Sequence, residues 1–429
     1  MKELAILLIY RALLPMLFLF AFPGWVVKML RRGGFGTALN ERTGIYFSGA
    51  EFEPSGAIHL HAVSVGETVL ALKLLREWQT VYPGSRFVLA TGTSTGHDLA
   101  TKAAVPGLRV TYSPLDFPWM IRSYLNRFAP SQVILIEGEI WPNFLRIAQK
   151  RGIPVGLANA RVSPRSARRF LKAAPLLRPF FSRLSAVCIQ EEDHRGLWKS
   201  LGVSPENIHL TGSLKFDPQS AAAPQPRGDF AEMLAAFGTG RPVVLAASTF
   251  PGEETLIASA IIAANPDALP VIVPRHAERR GEVFETLAKA GFQPILRSAF
   301  RLPKPGENNV FVIDTTGELA TWTSHSDVVV IGKSFLSTGG QNPAEAILSR
   351  KPLVFGPHME NFQPLASQLL AEDGALLAKN IEGITQAVRQ ALEPLKSAAL
   401  SENAMAVLAR HKGATRMHLE VLHLACQTA

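Results

Sequence analysis

The chain has 429 residues, more than one ordinary hydrophobic core accommodates, so two domains of roughly 200 residues each are expected. A formal net charge of +9 favours anionic partners, but the sequence has no RNA- or DNA-binding signature, so no nucleic-acid partner is expected. The two cysteines, Cys188 and Cys426, exclude a disulfide framework and a cysteine metal site and favour a reducing compartment.

The first thirty residues form an apolar segment. An uninterrupted apolar run, residues 12–27, is slightly short for a full membrane span and is followed by the basic residues Lys28, Arg31 and Arg32. We predict that residues 1–32 are a membrane anchor that either spans the bilayer once, with Arg11 reaching the interface, or lies in one leaflet. A buried core helix is the alternative. The basic cluster favours a cytoplasmic body.

Apolar strand patterns alternate with helical patterns through residues 33–218. The predicted strands there are 58–63, 86–90, 109–112, 132–136, 154–158 and 186–190. A Pro/Ala-rich segment, residues 219–227, is typical of a linker. The alternation then resumes through residues 228–400, with predicted strands at 242–247, 269–274, 293–296, 309–314, 327–332 and 352–355. The pattern predicts two Rossmann-like α/β domains with parallel sheets and a ligand cleft between them. A final helix within residues 401–429 is expected to pack back on the first domain.

Polar groups in the first half lie where α/β sheets bind ligands. Glu67, in Ser64-Val65-Gly66-Glu67, opens the first helix after a strand and is a candidate general base, with simple helix stabilisation as the alternative. Glu137 and Glu139 lie two residues apart after another strand, so both carboxylates can support a cationic transition state or hold acceptor hydroxyls; an ordinary turn is the alternative. Lys215, just before the linker, is either a cation for a negative donor or a surface lysine.

A basic amphipathic stretch lies between residues 161 and 183. It carries seven Lys and Arg side chains, no acidic residue, and interleaved Phe and Leu. This pattern suits an anionic membrane surface or a phosphorylated lipid, and it equally suits a helix that covers the sheet; both can hold at once.

Three loops of the second half indicate a nucleotide site. In Gly339-Gly340-Gln341-Asn342-Pro343-Ala344-Glu345 a glycine-rich turn leads into a helix predicted near Pro343, where free N–H groups and the helix dipole favour a phosphate and Glu345 can reach a ribose or base. Arg275 and His276 end a strand and offer donors for a phosphate. Thr316, Gly317 and Glu318 follow the next strand. We predict that the three loops converge on one nucleotide.

The ordered set of motifs resembles the 3-deoxy-D-manno-octulosonic acid (Kdo) transferases of Gram-negative lipopolysaccharide assembly. The resemblance covers nearly the whole chain, anchor included, and is carried by Ser64–Glu67, Glu137–Glu139 with Trp141-Pro142, Gly212–Lys215, Pro274–His276, Gly317–Leu319 and Gly339–Asn342 with Glu345.

The resemblance implies a GT-B fold, with the acceptor bound by the first domain and the donor, CMP-Kdo, by the second. It implies inverting transfer of Kdo to the 6′-hydroxyl of the tetraacylated lipid A precursor at the cytoplasmic face of the inner membrane. Glu67 matches the general base of the family. Arg275, His276, Gly317, Glu318, Asn342 and Glu345 match its CMP-binding positions, and Thr316, Gly340, Pro343 and Ala344 lie in the same loops. Glu137, Glu139 and Lys215 are expected to support the transition state.

No metal or other cofactor is expected, because the leaving group is a nucleoside monophosphate and the sequence has no Asp-x-Asp motif. Two other functions stay open at this point. One is a GT-B transferase that moves a sugar from a UDP-sugar to a membrane lipid. The other is a non-catalytic binder of anionic lipid. A nicotinamide oxidoreductase is disfavoured because no Gly-x-Gly-x-x-Gly follows the first strand. The number of Kdo units added is not readable from the sequence.

Overall fold

A computed structural model describes residues 2–31, 37–46, 56–138, 140–218, 226–304 and 306–427. The chain divides into two compact units. Unit 1 comprises Met1–Ser220 and His411–Ala429, and unit 2 comprises Ala221–Arg410. Most of the predicted linker, residues 219–225, lies outside the described residues.

Unit 1 is built on seven strands, all paired in parallel, in the order β3-β2-β1-β4-β5-β6-β7. The strands are β1 Ile58–Ala62, β2 Phe87–Thr91, β3 Leu108–Tyr112, β4 Gln132–Ile136, β5 Val155–Ala160, β6 Ala186–Ile189 and β7 Ile208–Leu210. Every residue of β2, β4 and β5 is buried, because helices cover both faces of the sheet. The strand order reverses between β1 and β4, and this switch point is where such sheets bind ligands.

Within the described residues, nine α-helices of unit 1 precede or connect these strands. They are α1 Lys2–Arg31, α2 Thr37–Arg42, α3 Val65–Val81, α4 Ser94–Lys102, α5 Pro118–Phe128, α6 Pro142–Lys150, α7 Pro164–Lys172, α8 Ala174–Phe181 and α9 Arg195–Ser200.

One side of helix α1 packs against the rest of unit 1, and the other side is exposed. The inner side is a stripe at helical spacing, with Glu3, Ile6, Leu7, Tyr10, Arg11, Leu14 and Phe18 partly or fully buried. The Tyr10 hydroxyl donates to Asp116 Oδ2 (2.9 Å), Arg11 Nε donates to Asn143 Oδ1 (2.7 Å), and the Phe18 ring lies edge-on to Phe117. The outer side is entirely apolar and exposed over Leu4, Ala5, Leu8, Ile9, Ala12, Leu13, Met16, Leu17, Leu19 and Phe20. Segment Glu3–Phe20 is long and apolar enough to cross a membrane.

Unit 2 repeats the architecture with a second seven-stranded parallel sheet, in the order β10-β11-β9-β8-β12-β13-β14. Its strands are β8 Val243–Thr249, β9 Leu269–Pro274, β10 Gln293–Leu296, β11 Asn309–Val312, β12 Val328–Ile331, β13 Leu353–Phe355 and β14 Leu376–Leu377. Its helices are α10 Gly228–Ala236, α11 Glu253–Ala264, α12 Arg280–Lys289, α13 Leu319–Ser324, α14 Ala344–Leu348, α15 Leu365–Ala371, α16 Ile381–Ala391 and α17 Pro394–Ala409. The switch point of this sheet lies between β8 and β12.

The single helix expected from about Ser401 is two helices in different units. Helix α17 belongs to unit 2, and α18, Ala414–Gln427, belongs to unit 1. The break falls where Gly413 adopts a left-handed φ of 76°. Asp217 fixes the start of α18 by accepting hydrogen bonds from Gly413 N (3.0 Å), Thr415 N (2.8 Å) and Thr415 Oγ (2.6 Å). Leu422 of α18 lies directly over Gly156 of β5, where no side chain intervenes.

Candidate active site

Glu67 lies at the switch point of the unit 1 sheet, on the first turn of α3. The N-cap is Ser64, whose Oγ accepts from Glu67 N (3.3 Å). The Glu67 carboxylate reaches back, accepting from Val63 N (2.7 Å) at one oxygen and from Ser64 Oγ (3.0 Å) at the other. This reciprocal arrangement is a capping box, which fixes the carboxylate relative to the end of β1. The helix-stabilising interpretation therefore describes a real interaction, and the same interaction also orients the side chain.

The Glu67 side chain borders a pocket of about 300 Å³ within unit 1. Glu137, from the loop after β4, lines the same pocket, and Arg161, from the loop after β5, is the cation beside them. The other lining residues are Gly138, Ile140, Val162, Ser163, Ser166, Phe170 and Trp198. Two carboxylates and a guanidinium thus meet at the carboxyl ends of adjacent strands, next to apolar and hydroxyl groups of α7.

Glu137 occupies a strained and largely desolvated position. Its φ of 62° is left-handed, which is uncommon for a residue with a side chain. Burial raises the pKa of its carboxyl group; the charge of Arg161 opposes the rise, and the nearby charge of Glu67 adds to it. Asn159 Nδ2 donates to Glu137 Oε1 (3.4 Å). The backbone is pinned by bonds to the loop after β5, including Arg161 N donating to Glu137 O (3.0 Å).

Lys215 is electrostatically coupled to the same group of charges. Burial lowers the pKa of its ammonium group to about 8; Arg161 lowers it further, and Glu137 opposes the shift. Lys215 is therefore half-buried beside the pocket charges rather than an ordinary surface lysine. The fourth residue predicted for this site, Glu139, lies outside the described residues, so its placement stays a prediction.

Asn159 connects the pocket loops, and it was not predicted. It also has a left-handed φ, 52°, and is buried. Its Oδ1 accepts from Leu214 N (3.0 Å), one residue before Lys215, while its Nδ2 reaches Glu137. Its own N–H donates to His418 Nε2 on α18 (2.9 Å). No local sequence pattern predicts this role, because each hydrogen-bond partner of Asn159 is distant along the chain.

In unit 2, Arg275 and His276 follow β9 and are both exposed at the carboxyl edge of the sheet. Arg275 N donates to Thr249 O at the end of β8 (3.0 Å), which fixes where the loop leaves the sheet. His276 lies beside the ring of Phe250, with 6.1 Å between ring centroids, and its Nδ1 is 3.6 Å from Glu278 Oε1. Both side chains are positioned to present donors to solvent at this edge.

The glycine-rich loop after β12 leads into a shorter helix than expected. Helix α14 begins at Ala344, with Pro343 as its N-cap, and has five residues, so few peptide dipoles align there. The Asn342 Oδ1 atom accepts from Ala344 N (3.1 Å) and thus takes one of the N–H groups expected to be free. Gly340 has a left-handed φ of 67°, and a Cβ there would lie 2.5 Å from Met359 Sδ. A phosphate site on the helix dipole alone is therefore weaker than the sequence pattern indicates.

Glu345 and Arg275 are electrostatically coupled at this edge. Burial raises the pKa of the Glu345 carboxyl group, and the charge of Arg275 opposes the rise. One carboxyl oxygen, Oε2, is buried and has no hydrogen-bond partner among the described residues. A buried acceptor without a partner costs free energy, so this atom is suited to a ligand donor.

Glu318 points into unit 2, in contrast to its neighbours. Its carboxylate lies 3.6 Å from Arg297 Nη2 and 3.9 Å from Arg227 Nη1, and it accepts from Trp322 Nε1 (3.5 Å) and from the Thr315 hydroxyl. Thr316 and Gly317 are exposed, and Gly317 has a left-handed φ of 82°. The structure therefore places Thr316 and Gly317 at the edge, while Glu318 is already engaged by protein groups.

A buried carboxylate that was not predicted organises the switch point of unit 2. Glu253, at the start of α11, is fully buried and accepts from Phe250 N (3.0 Å), Lys333 N (2.6 Å) and Phe335 N (3.1 Å). It thereby ties the loop after β8 to the loop after β12. Among the described residues no group of three or more His, Cys, Asp or Glu side chains is arranged to hold a metal ion.

Residues 37–218 match a family model described as "3-Deoxy-D-manno-octulosonic-acid transferase (kdotransferase)". The chain is 32% identical over 393 residues to the 3-deoxy-D-manno-octulosonic acid transferase of Haemophilus influenzae, covering 90% of each chain. It is 34% identical over 434 residues to the protein of the same name from Bordetella pertussis, covering 96% of each. A solved glycosyltransferase from Rickettsia africae is similar in fold, with a TM-score of 0.57 at 11% identity over 88% of this chain and all of that one.

Proposed function

The chain belongs to the 3-deoxy-D-manno-octulosonic acid (Kdo) transferase family and has the GT-B fold, and on that basis we propose that it transfers Kdo from CMP-Kdo to the 6′-hydroxyl of the tetraacylated lipid A precursor in lipopolysaccharide assembly. The observation that carries the proposal is the unit 1 pocket in which Glu67, Glu137 and Arg161 meet. The transfer inverts the anomeric centre and needs no metal ion.

The unit 1 pocket is the proposed acceptor site. Helix α7, which borders it with Ser163, Ser166 and Phe170, continues a stretch of Arg and Lys side chains between residues 161 and 183. Leu171 and Leu176 in this stretch are exposed, while Phe180 and Phe181 are buried in the core, so the stretch covers the sheet and also faces solvent. Exposed cations beside exposed leucines suit an acceptor that combines phosphate groups with acyl chains.

The carboxyl edge of the unit 2 sheet is the proposed donor site. Arg275 and His276 would bind the phosphate of CMP, and the buried, unpartnered oxygen of Glu345 would accept from the nucleoside. The backbone at Gly317 would allow close approach of the nucleotide, because this exposed position lacks a Cβ and no protein atom lies where one would stand, whereas the space at Gly340 is taken by Met359. Asn342 and Thr316, exposed on the same loops, would supply further polar contacts.

In the proposed reaction the acceptor oxygen forms a bond to the anomeric carbon of Kdo as the bond from that carbon to the CMP phosphate breaks. The proton of the acceptor hydroxyl passes to the Glu67 carboxylate, and CMP leaves with the bonding electron pair. Kdo is a sugar acid, so the cations Arg161 and Lys215 would bind its carboxylate. Glu137 holds both cations near the pocket and supports positive charge that develops on the sugar ring.

We further propose that α1 holds the enzyme at the cytoplasmic face of the inner membrane by lying in one leaflet. A helix whose inner stripe is bonded to Asp116 and Asn143 of the body cannot also extend across the bilayer through the same residues. Its outer side is continuous apolar surface over residues 4–20. Trp119 is 58% exposed and packs against Phe117, whose ring contacts Phe18 of this helix, and tryptophan prefers the membrane interface.

Incubation of the full chain with CMP-Kdo and lipid A precursor, followed by mass spectrometry of the lipid, tests the function and counts the added Kdo units. We expect product masses shifted by whole Kdo residues, with turnover unchanged by a metal chelator. Product from a UDP-sugar but not from CMP-Kdo would show that the donor is wrong. Lipid binding without any product would show that the chain is a binder.

A further inference from the structure

A second pocket lies in unit 1, at the side of α1 and away from the Glu67 pocket. It measures about 260 Å³ and is formed by α1 with α5, with α6 and with Arg151, the residue that follows α6. Its lining residues are Leu4, Leu7, Arg11, Arg122, Arg146, Ile147, Lys150 and Arg151. Five of these eight side chains are cationic, and the other three are aliphatic.

The positive charges of this pocket are only partly compensated. Glu3 is paired with Arg146 and with Arg183. Within the part of the chain that the structure describes, no carboxylate lies within 4.0 Å of a charged nitrogen of Arg122, Lys150 or Arg151, so these three cations have no ion pair there. The Arg151 guanidinium instead donates to Asn126 Oδ1 (2.8 Å).

Asp116 is the other acidic group near the pocket, and it is already bound by protein donors. It accepts from the Tyr10 hydroxyl, from Asn143 N (3.0 Å) and from Phe144 N (2.9 Å). Burial lowers the pKa of Arg11, the charges of Arg122 and Arg146 lower it further, and the charge of Asp116 opposes the shift. Together these groups leave an excess of positive charge that an anion would neutralise.

The apolar wall connects the pocket with the outer side of α1. Leu7 is fully buried at its base, and Leu4 is 51% exposed at its rim. Leu8, one turn further along the helix, is 55% exposed and belongs to the same continuous apolar surface as Leu4. The pocket therefore has cations on the side of α5 and α6 and an aliphatic rim that leads to the surface assigned to the membrane.

We propose that this pocket binds the phosphodiester headgroup of an anionic phospholipid, with the acyl chains lying along Leu4 and Leu8 of α1. Guanidinium groups donate to phosphate oxygens in pairs, and Lys150 adds a mobile charge at the rim. The lipid would bridge α1 to α5 and α6 and so hold the helix flat on the body. This inference rests on the proposed membrane contact of α1 but not on Kdo transfer.

The test is flotation of the full chain with vesicles of phosphatidylcholine, with or without added phosphatidylglycerol. The variant R122A/K150A removes two exposed cations of the pocket. We expect it to lose about tenfold of the extra partitioning that phosphatidylglycerol confers, while its thermal midpoint and its partitioning to phosphatidylcholine alone stay unchanged. The matched control, R280A/K289A, removes one Arg and one Lys from α12 of unit 2 and is expected to behave as the parent chain.

Other outcomes overturn the proposal in identifiable ways. An undiminished phosphatidylglycerol effect in R122A/K150A means that the pocket binds no headgroup. An equal loss in the control means that net charge alone sets the partitioning. If inorganic phosphate abolishes the effect at constant ionic strength, the pocket is a site for free phosphate. If the chain floats with neither kind of vesicle, both this lipid site and the in-leaflet placement of α1 are wrong. Kdo transfer is tested separately, by the activity assay in detergent.

Discussion

Glu67 and Glu137 line the same pocket but differ in their surroundings. Two carboxylates in different environments can have different roles in one reaction. Glu67 is held at a helix start by a backbone N–H and a hydroxyl, and it is partly exposed. Glu137 is more deeply desolvated and is surrounded by Arg161, Lys215 and Asn159. The first arrangement suits proton transfer with an acceptor hydroxyl, and the second suits electrostatic support.

The variant E67Q separates the two roles of the capping carboxylate. The amide oxygen can still accept from Val63 N or Ser64 Oγ, so we expect a loss of about 1 kcal/mol or less in the free energy of unfolding. Turnover should fall on the order of 10²–10⁴-fold, because the variant lacks the proposed general base. Steady-state kinetics and thermal melting measure both. E77Q, on the same helix near Arg416, is the matched control and should retain turnover. A fully active E67Q would refute the assignment.

Lys215 predicts an alkaline limit to activity. Its folded pKa of about 8 lies below the ordinary value of 10.5, so its charge is lost as pH rises through about 8. Turnover should fall there if the cation is needed. Between pH 8 and 10.5, Lys215 is more often protonated in the unfolded chain than in the folded one. Its contribution to the free energy of unfolding therefore increases as pH rises. A rate that falls in this range would thus not be caused by destabilisation of the fold through Lys215.

The variant K215R is the companion measurement, because arginine stays charged at alkaline pH. We expect the turnover rate of K215R to begin falling at a higher pH than that of the parent chain, even if the variant is slower at neutral pH. A parent profile that stays flat through pH 8, or a K215R profile with the same alkaline limb, contradicts a role for this ammonium group.

Some site residues could be predicted from sequence and others could not. Glu67 and Glu137 follow apolar strand patterns directly, and parallel strands end at one edge, so their proximity was predictable. Asn159 and Glu253 act through backbone groups of loops that are distant along the chain, and their own neighbours carry no such signal. The inward orientation of Glu318 depends on Arg227 and Arg297, which no local pattern relates to it.

Helix α18 is attached at its beginning by one buried carboxylate. Asp217 accepts three hydrogen bonds there, from two backbone N–H groups and the Thr415 hydroxyl. Further along, His418 accepts from Asn159 N, so the same helix reaches the residue that orders the Glu67 pocket loops. The helix is thus part of the support for the pocket and not only a cover for the sheet.

The variant D217A tests that attachment. Removing three buried hydrogen bonds should destabilise the docked helix by about 2 kcal/mol and speed hydrogen exchange in residues 414–427. The control D229A removes a first-turn aspartate of α10 whose partner Arg227 is exposed, so it should leave the free energy of unfolding and the exchange of α18 nearly unchanged. Unchanged exchange of α18 in D217A would mean that apolar packing alone holds the helix.

The sequence left open how the first helix meets the rest of the chain. Tyr10 and Arg11 are visible as polar interruptions, but their partners Asp116 and Asn143 lie more than a hundred residues away. Only the folded arrangement distinguishes a docked helix from a spanning one, because length and hydropathy are the same for both.

The two-unit α/β architecture was largely predictable, because buried parallel strands give continuous apolar runs. The predicted strands 132–136, 269–274 and 293–296 coincide with β4, β9 and β10. Strands β7 and β14, both at sheet edges, were not predicted, because runs of three and two residues are too short to show a periodic pattern. The family membership and the GT-B fold, both confirmed, were predicted from several motifs that follow one another in the order typical of the family, although each motif is weak alone.

The division of the chain predicts unequal behaviour of its two units when they are expressed separately. Residues 226–410 are continuous and have their own core, so we expect a monomeric fragment with cooperative melting that binds CMP in calorimetry. R275A in that fragment should weaken CMP binding without changing the melt. Residues 37–218 lack α18 and leave the surface under Leu419 and Leu422 uncovered, so we expect that fragment to aggregate. A well-folded 37–218 fragment would contradict the importance of α18.

The placement of α18 also sets the order in which a ribosome can complete the enzyme. Strand β5 is translated early, yet the leucine that covers Gly156 follows it by more than two hundred residues, a delay of about 10–50 s at bacterial elongation rates. Throughout that interval unit 2 can finish folding, while the face of the unit 1 sheet that α18 covers is still incomplete. We therefore expect nascent unit 1 to depend on chaperones more than unit 2, and chains that end before α18 to be degraded.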